Sequence, residues 1–368
     1  MKRTFIFAIC FFLLILLGMV IINFHVDFQE KLPEESKVGL ILYGSSNDRS
    51  FSQAHYEGVR DAVLNINGLE LIYRENVVSG GAFLDTVDEL VNSGCRIIIA
   101  TSYNYSDSIK VAADTYPYVY FFHAAGTYSQ SNLTSFFGRM YQIRYLTGIV
   151  AGLQTKTGEI GYVAAFPIDE VNRGINAFML GVSRVNPGAK VFVEWSGSWL
   201  NGGANRNAAE RLIANHSIDV LSMHTDSLAP LEVAEKHSIY SIGYNFDNEM
   251  QFRSTYLTSA VWDWKEFYKP KISECLVGKL RGGHCWNGME TNIIRMTPLT
   301  DNVSNKDKVQ YFLDWEIKKI LVNNCDVFFG PIYDTDGNLR VPEGSCLTDE
   351  SILNDFKWYV KGVCTSAF

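Results

Sequence analysis

Eight short polar stretches each follow an apolar run: GSSNDRSF (44–51), TSYNYSD (101–107), HAAG (123–126), FPIDEVNRG (166–174), WSGSWLN (195–201), HTDS (224–227), YNFDNE (244–249) and VWDW (261–264). Their small residues let backbone N–H groups approach a ligand closely. Asp48, Asp107, Asp226 and Asp247 supply hydrogen-bond acceptors, and Phe51, Tyr103, Trp199 and Trp264 supply flat apolar faces. Two stacking faces plus in-plane acceptors suit a planar, purine-sized heterocycle. Stacking a base on one aromatic is worth about 1–3 kcal/mol, and a ring N–H bonded to a carboxylate adds about 1.5–3 kcal/mol. The same inventory fits a sugar less well.

Each of these residues has an ordinary structural reading as well. Phe51 could staple the helix that begins near Ser52, Asp48 and Asp226 could cap helices, and Asp247 could hold a turn. Trp195 reads as packing, and one of Trp262 and Trp264 as core. Covalent chemistry finds little support. His224, Asp226 and Ser227 share one loop, whereas a catalytic triad needs groups brought from separate elements, and no G-x-S-x-G elbow accompanies them. The phosphate-cradling patterns G-x-G-x-x-G and G-x-x-x-x-G-K-[ST] are missing from the 44–51 stretch. The seven histidines are scattered and no Cys/His group has zinc spacing, so no metal or other cofactor is expected.

The elements that would position these stretches alternate. Apolar runs such as KVGLILYG, CRIIIATS and EIGYVAAF read as buried strands, and SQAHYEGVRDAVLNI or EVNRGINAFMLGVSRVNPG as amphipathic helices. Strands alternating with helices imply parallel sheets built from right-handed βαβ units, with ligands outside the carboxyl ends of the strands. Two such series predict two similar α/β lobes around a hinge cleft: residues 37–137 with 263–283, and 138–262 with 284–368. The stretch CDVFFGPIYDTDGNLRVPEG reads as a hairpin turning at Asp336–Gly337.

The chain has 368 residues, 20% charged and 47% hydrophobic, with a net charge of −8. No basic run follows Lys2 and Arg3, which argues against nucleic acid as a partner. Residues 1–24 place two cations before about twenty apolar residues, enough for one membrane-crossing helix with its N-terminus inside. This reads as a signal anchor, or a signal peptide if cleaved, followed by a polar linker at 25–36. The domain would then work on the extracytoplasmic face of the membrane, where disulfides persist. Cys275 with Cys285 and Cys325 with Cys346 read as candidate bridges among the roughly 15 pairings that six cysteines allow, and Cys95 is expected as a buried free thiol.

Several segments together resemble one family. GSSNDRSFSQAHYEG, the long block YLTGIVAGLQTKTGEIGYVAAFPIDEVNRGINAFMLGVSRVNPGAKV, WSGSWLN, MHTDS and YLTSAVWDW are similar to the basic membrane protein (BMP) family of ABC-transporter substrate-binding proteins. The resemblance covers about residues 37–365. It implies the type I periplasmic-binding-protein fold, two Rossmann-like lobes joined by three crossovers, and capture of a purine base or nucleoside for an ABC permease. It also implies roles. Asp48 and Phe51 match the family's acid and stacking aromatic after the first strand, and Trp199 the aromatic on the opposite face. Asp247 or Asn245 matches its hydrogen-bonding aspartate, and Asp226 lies in a loop shared with a subgroup. Nucleoside-binding members often carry a lysine where Trp262 stands here, followed by Asp263 and Trp264. A bulky indole in the ribose position implies a free, adenine-like base over a nucleoside. An anchored sensor domain acting through a partner is the alternative, and an enzyme is not expected.

Overall fold

The computed structural model describes residues 31–33, 35–322 and 327–368. The expected anchor at 1–24 and most of the linker lie outside the described residues. No described helix is long and apolar enough to cross a membrane.

The first series builds strands β1 (Ser36–Leu42), β2 (Leu69–Arg74), β3 (Cys95–Thr101), β4 (Tyr120–Ala124) and β5 (Leu133–Gly138). Between them run helices α1 (Phe51–Leu64), α2 (Gly81–Asn92) and α3 (Ser106–Thr115). The second series builds α4 (Tyr141–Gln154), β6 (Glu159–Ala164), α5 (Asp169–Val185), β7 (Lys190–Trp195), α6 (Gly202–Asn215), β8 (Val220–His224), α7 (Ala229–Lys236), β9 (Tyr240–Asn245) and β10 (Tyr256–Trp262). Both sheets have the doubly wound order 2-1-3-4-5: β2-β1-β3-β4-β5 in one and β7-β6-β8-β9-β10 in the other. Central strands such as β1 and β3 are nearly continuous runs of buried residues, as parallel strands covered on both faces must be, whereas the edge strand β2 is only half-buried.

After β10 the chain returns to the first lobe as α8 (Lys265–Leu276), which packs on α1. At this contact Gly58 leaves no room for a side chain, since a Cβ there would sit 2.6 Å from the Trp264 Cβ. Strand β11 (Gly283–Asn287) then pairs parallel with β5, so the first sheet extends past the boundary drawn at 283 from the sequence. Strand β12 (Ile294–Met296) crosses back and pairs antiparallel with β10. The three passages between sheets therefore lie at 138–141, 262–265 and 287–294. Helix α9 (Lys306–Val322), the hairpin β13 (Ile332–Tyr333) with β14 (Leu339–Val341), helix α10 (Asp349–Asn354) and β15 (Val363–Thr365), which pairs with β7, complete the second lobe.

Helices α4 and α5 pack backbone to backbone. A Cβ on Gly148 would lie 2.1 Å from the Phe178 carbonyl oxygen, and one on Gly181 would lie 2.0 Å from that of Tyr145. This glycine contact fixes the rotation of α5 and hence which residue of its first turn faces the cleft.

Cys95 is buried and free, and Cys275 and Cys285 are also free thiols, so the expected bridge between those two is corrected. Cys275 is buried among the apolar residues of α8, and Cys285 sits half-buried on β11. Cys346 is disulfide-bonded, and its expected partner Cys325 lies outside the described residues.

Candidate functional site

A cavity opens between the carboxyl ends of the two sheets, with about 570 Å³ of free space, mouth included. The first lobe contributes Tyr43, Phe51, Ser52, Ser102, Tyr103 and Phe137, and the second Ile168, Glu170, Trp199, Asp226 and Tyr244.

Phe51 is placed by the start of α1. The Asp48 carboxylate accepts the backbone N–H groups of Ser50 (2.7 Å), Ser52 (3.1 Å) and Gln53 (3.0 Å). The orphan donors of the helix N-terminus are thereby satisfied, and Phe51 turns toward the cavity as the first helical residue. Asp48 thus serves as a cap beside the cavity instead of lining it. Burial raises its carboxyl above the ordinary range, against the pull of those backbone donors. Phe51 stands edge-on to His55 (4.4 Å between centroids) and to Trp262 (6.3 Å), meets Phe137 at 6.4 Å, and lines the cavity.

Trp199 is held by the loop after β7. Its carbonyl accepts the backbone N–H of Asp226 (2.9 Å) and the Asn205 side-chain amide (3.2 Å). Its ring meets Phe166 edge-on at 5.4 Å. Asp226 does not cap the helix that follows, because Ser227 Oγ takes that place by accepting the Ala229 N–H at 3.2 Å. The Asp226 Oδ1 instead accepts from Asn245 Nδ2 at 2.8 Å. Burial pushes the Asp226 carboxyl well above its ordinary value, and the nearby Asp48 charge adds to that.

Asn245 ends β9 in the left-handed region (φ 67°), which asparagine tolerates better than most residues. It is fully buried and ties the lobes together. Its Nδ2 also donates to Ser50 Oγ in the first lobe (3.0 Å), and its Oδ1 accepts from Trp262 Nε1 (2.9 Å). Asn248 adds a second tie, accepting from Arg49 Nε (3.1 Å) and donating to the Arg49 carbonyl (3.1 Å).

Of the residues singled out from the sequence, Phe51, Tyr103, Trp199 and Asp226 meet at the cavity. Tyr103 sits at the mouth, 46% exposed. Asp48, Asp107, Asn245, Asp247, Trp262 and Trp264 do not line it. Asp247 is exposed in the loop after β9, where its Oδ1 accepts the Glu249 N–H at 3.1 Å. Trp262 and Trp264 are 5% and 1% exposed and stack on each other (4.6 Å, 11°), with Trp264 stacked in turn on His55 (4.5 Å). They pack behind Phe51 and neither lines this cavity. The reason is the crossover at 262–265, which turns both rings onto α1.

Glu170 and Tyr244 are the polar cavity residues of the second lobe that sequence reasoning did not single out. Glu170 lies in the first turn of α5, where the helix dipole favours an anion. Its Oε1 accepts from His224 Nε2 at 3.1 Å, while His224 Nδ1 accepts from the Tyr162 hydroxyl at 3.2 Å. Burial lowers the His224 pKa against the pull of Glu170, and the acceptor-only carboxylate calls for a proton on Nε2. Burial alone would raise the Glu170 carboxyl, but His224, Arg173 and Arg144 outweigh it and hold the group below its usual range. Arg144, fully buried on α4, donates to the Met223 carbonyl (2.9 Å) and lies over the Tyr244 ring at 3.8 Å.

Comparison with known proteins agrees with this architecture. Residues 35–323 match the model of the Bmp family, described as PnrA-like ABC transporter substrate-binding proteins. The chain belongs to this family. The purine-binding protein of Brucella abortus is 31% identical over 331 residues, which span 90% of this chain and 93% of that one. A Haloferax volcanii protein named as a putative ABC transporter glucose-binding protein is 32% identical over 316 residues, 86% of this chain and 77% of that one. The solved structure of an ABC transporter solute-binding protein from Conexibacter woesei superposes with a TM-score of 0.64 at 18% identity, covering 80% of this chain and 99% of that one. As a Bmp-family member the chain is an ABC substrate-binding protein of type I fold, a class that captures a small molecule outside the membrane and passes it to a permease.

Proposed function

We propose that this Bmp-family protein captures a purine base or nucleoside and delivers it to an ABC permease. The observation that carries the reading is the pairing of Phe51 and Trp199, one from each lobe, in a single cavity that also holds carboxylates. A purine between the lobes stacks on both rings and directs its N–H groups at the acids. The purine-binding relative from Brucella supports the same reading. Binding is non-covalent, and the ligand leaves chemically unchanged. The signal segment expected at the N-terminus keeps the domain at the outer face of the membrane.

The test is calorimetric titration of the purified protein with adenine, hypoxanthine, adenosine and guanosine, with ribose and glucose as controls. Submicromolar binding of a purine and none of either sugar supports the proposal. Tight glucose binding without purine binding overturns it in favour of the function named for the Haloferax relative.

A further inference from the structure

We infer that Glu170 and Tyr244 form an acceptor–donor pair that selects a purine presenting an N–H beside a ring nitrogen acceptor, the amino edge of a 6-aminopurine, over a 6-oxopurine. The inference rests on the purine reading above. One oxygen of Glu170 is occupied by His224, and the other has no protein partner among the described residues while the side chain lines the cavity. Its orientation is held from behind: the carboxylate, an acceptor only, takes the Nε2 proton of His224, whose Nδ1 faces the Tyr162 hydroxyl. Tyr244 lies edge-on to the same His224 at 4.6 Å, so acceptor and donor share one wall. Its hydroxyl has no protein partner among the described residues. A tyrosine hydroxyl can donate to a ring nitrogen placed opposite it.

An anion held in a largely apolar cavity needs a donor from the ligand, since a buried charge left without one is costly. A 6-aminopurine offers an exocyclic N–H to Glu170 and a ring nitrogen to Tyr244. In that same orientation a 6-oxopurine places its carbonyl oxygen against the carboxylate, where two acceptors repel; to offer its N1–H to Glu170 instead, it must shift along its edge from the position adenine takes between the two stacking rings.

Glu170→Gln tests the assignment because it inverts the polarity at one atom. The amide oxygen keeps the His224 bond, and the amide nitrogen, now a donor, faces the cavity. In calorimetric titrations the wild-type protein should hold adenine more tightly than hypoxanthine. In the variant adenine affinity should fall by about tenfold to a hundredfold, while hypoxanthine affinity holds or rises. Tyr244→Phe should weaken adenine by about fivefold. Thermal unfolding of each variant identifies any loss of fold. An equal fall for both bases in Glu170→Gln, no change in either, or a wild-type preference for hypoxanthine overturns the assignment. Failure of every purine to bind wild-type protein sinks the purine reading itself, a separate outcome.

Discussion

The two walls of the cavity stand on sheets of the same strand order, yet they carry different chemistry. The first-lobe wall is apolar with small hydroxyls: Phe51, Phe137, Tyr43, Ser52 and Ser102. Its one nearby acid, Asp48, is consumed in capping α1. The second-lobe wall carries both lining carboxylates, Glu170 and Asp226, and the buried machinery that holds them. On the proposed reading, one lobe offers a surface to stack on, and the other stacks through Trp199 and also reads hydrogen bonds. Shared topology placed the strand ends, and the side chains at those ends divided the work.

If the division is right, removing a stacking face should hurt most. Phe51→Ala and Trp199→Ala should each weaken purine binding by about 1–3 kcal/mol with little change in thermal unfolding, as titration and melting of the same samples would show. A sugar-like insensitivity to both would break the comparison.

Next in size is the tie between the walls. Asn245→Ala removes the bonds to Ser50, Asp226 and Trp262 and leaves a buried indole N–H without a partner. It should destabilise the protein by about 1–3 kcal/mol and speed ligand release, measurable by denaturant unfolding and stopped-flow.

The acids themselves can be compared by pH. Asp226 has a folded pKa raised above its unfolded value, so the ligand-free protein binds more protons than the unfolded chain between the two and loses stability as pH rises through that window. Asp226→Asn keeps the acceptor for Asn245 and should flatten this slope, raising the unfolding midpoint at neutral pH. Glu170, held low, has the opposite sign: its contribution is present above the unfolded carboxylate pKa and fades as pH falls through the folded one. The smallest effect is expected at Asp247, which does not line the cavity. Asp247→Ala should leave affinity within about 0.5 kcal/mol of wild type, and a larger loss would return that loop to the site.

The sequence was legible wherever periodicity ran long. The alternation of strands and helices, the two series and the polar strand ends could be read directly. Strands β11 and β15 escaped notice because each is a short edge strand whose partner lies far back in the chain. Within the site, Phe51 and Trp199 were visible as aromatics among small polar residues. Glu170 had a signal that went unused, two adjacent acids in the first turn of α5, but nothing local shows which of them faces the cleft. Tyr244 was hidden beside Asn245 for the same reason. Trp262 and Trp264 misled in the other direction, since an aromatic at a strand end looks the same in sequence whether it lines a cavity or backs one.

The sequence by itself determined the fold class, the family and the list of polar strand ends, because hydrophobic period and turn chemistry are local and repeat along the chain. Tertiary structure decided which residue at each end does what. The glycine contact between α4 and α5 sets the rotation that aims Glu170, the crossover at 262–265 folds Trp264 against His55 and Trp262 against Trp264, and the meeting of lobes lets Asn245 reach Ser50. These are encounters between residues far apart in the chain, and no local pattern carries them.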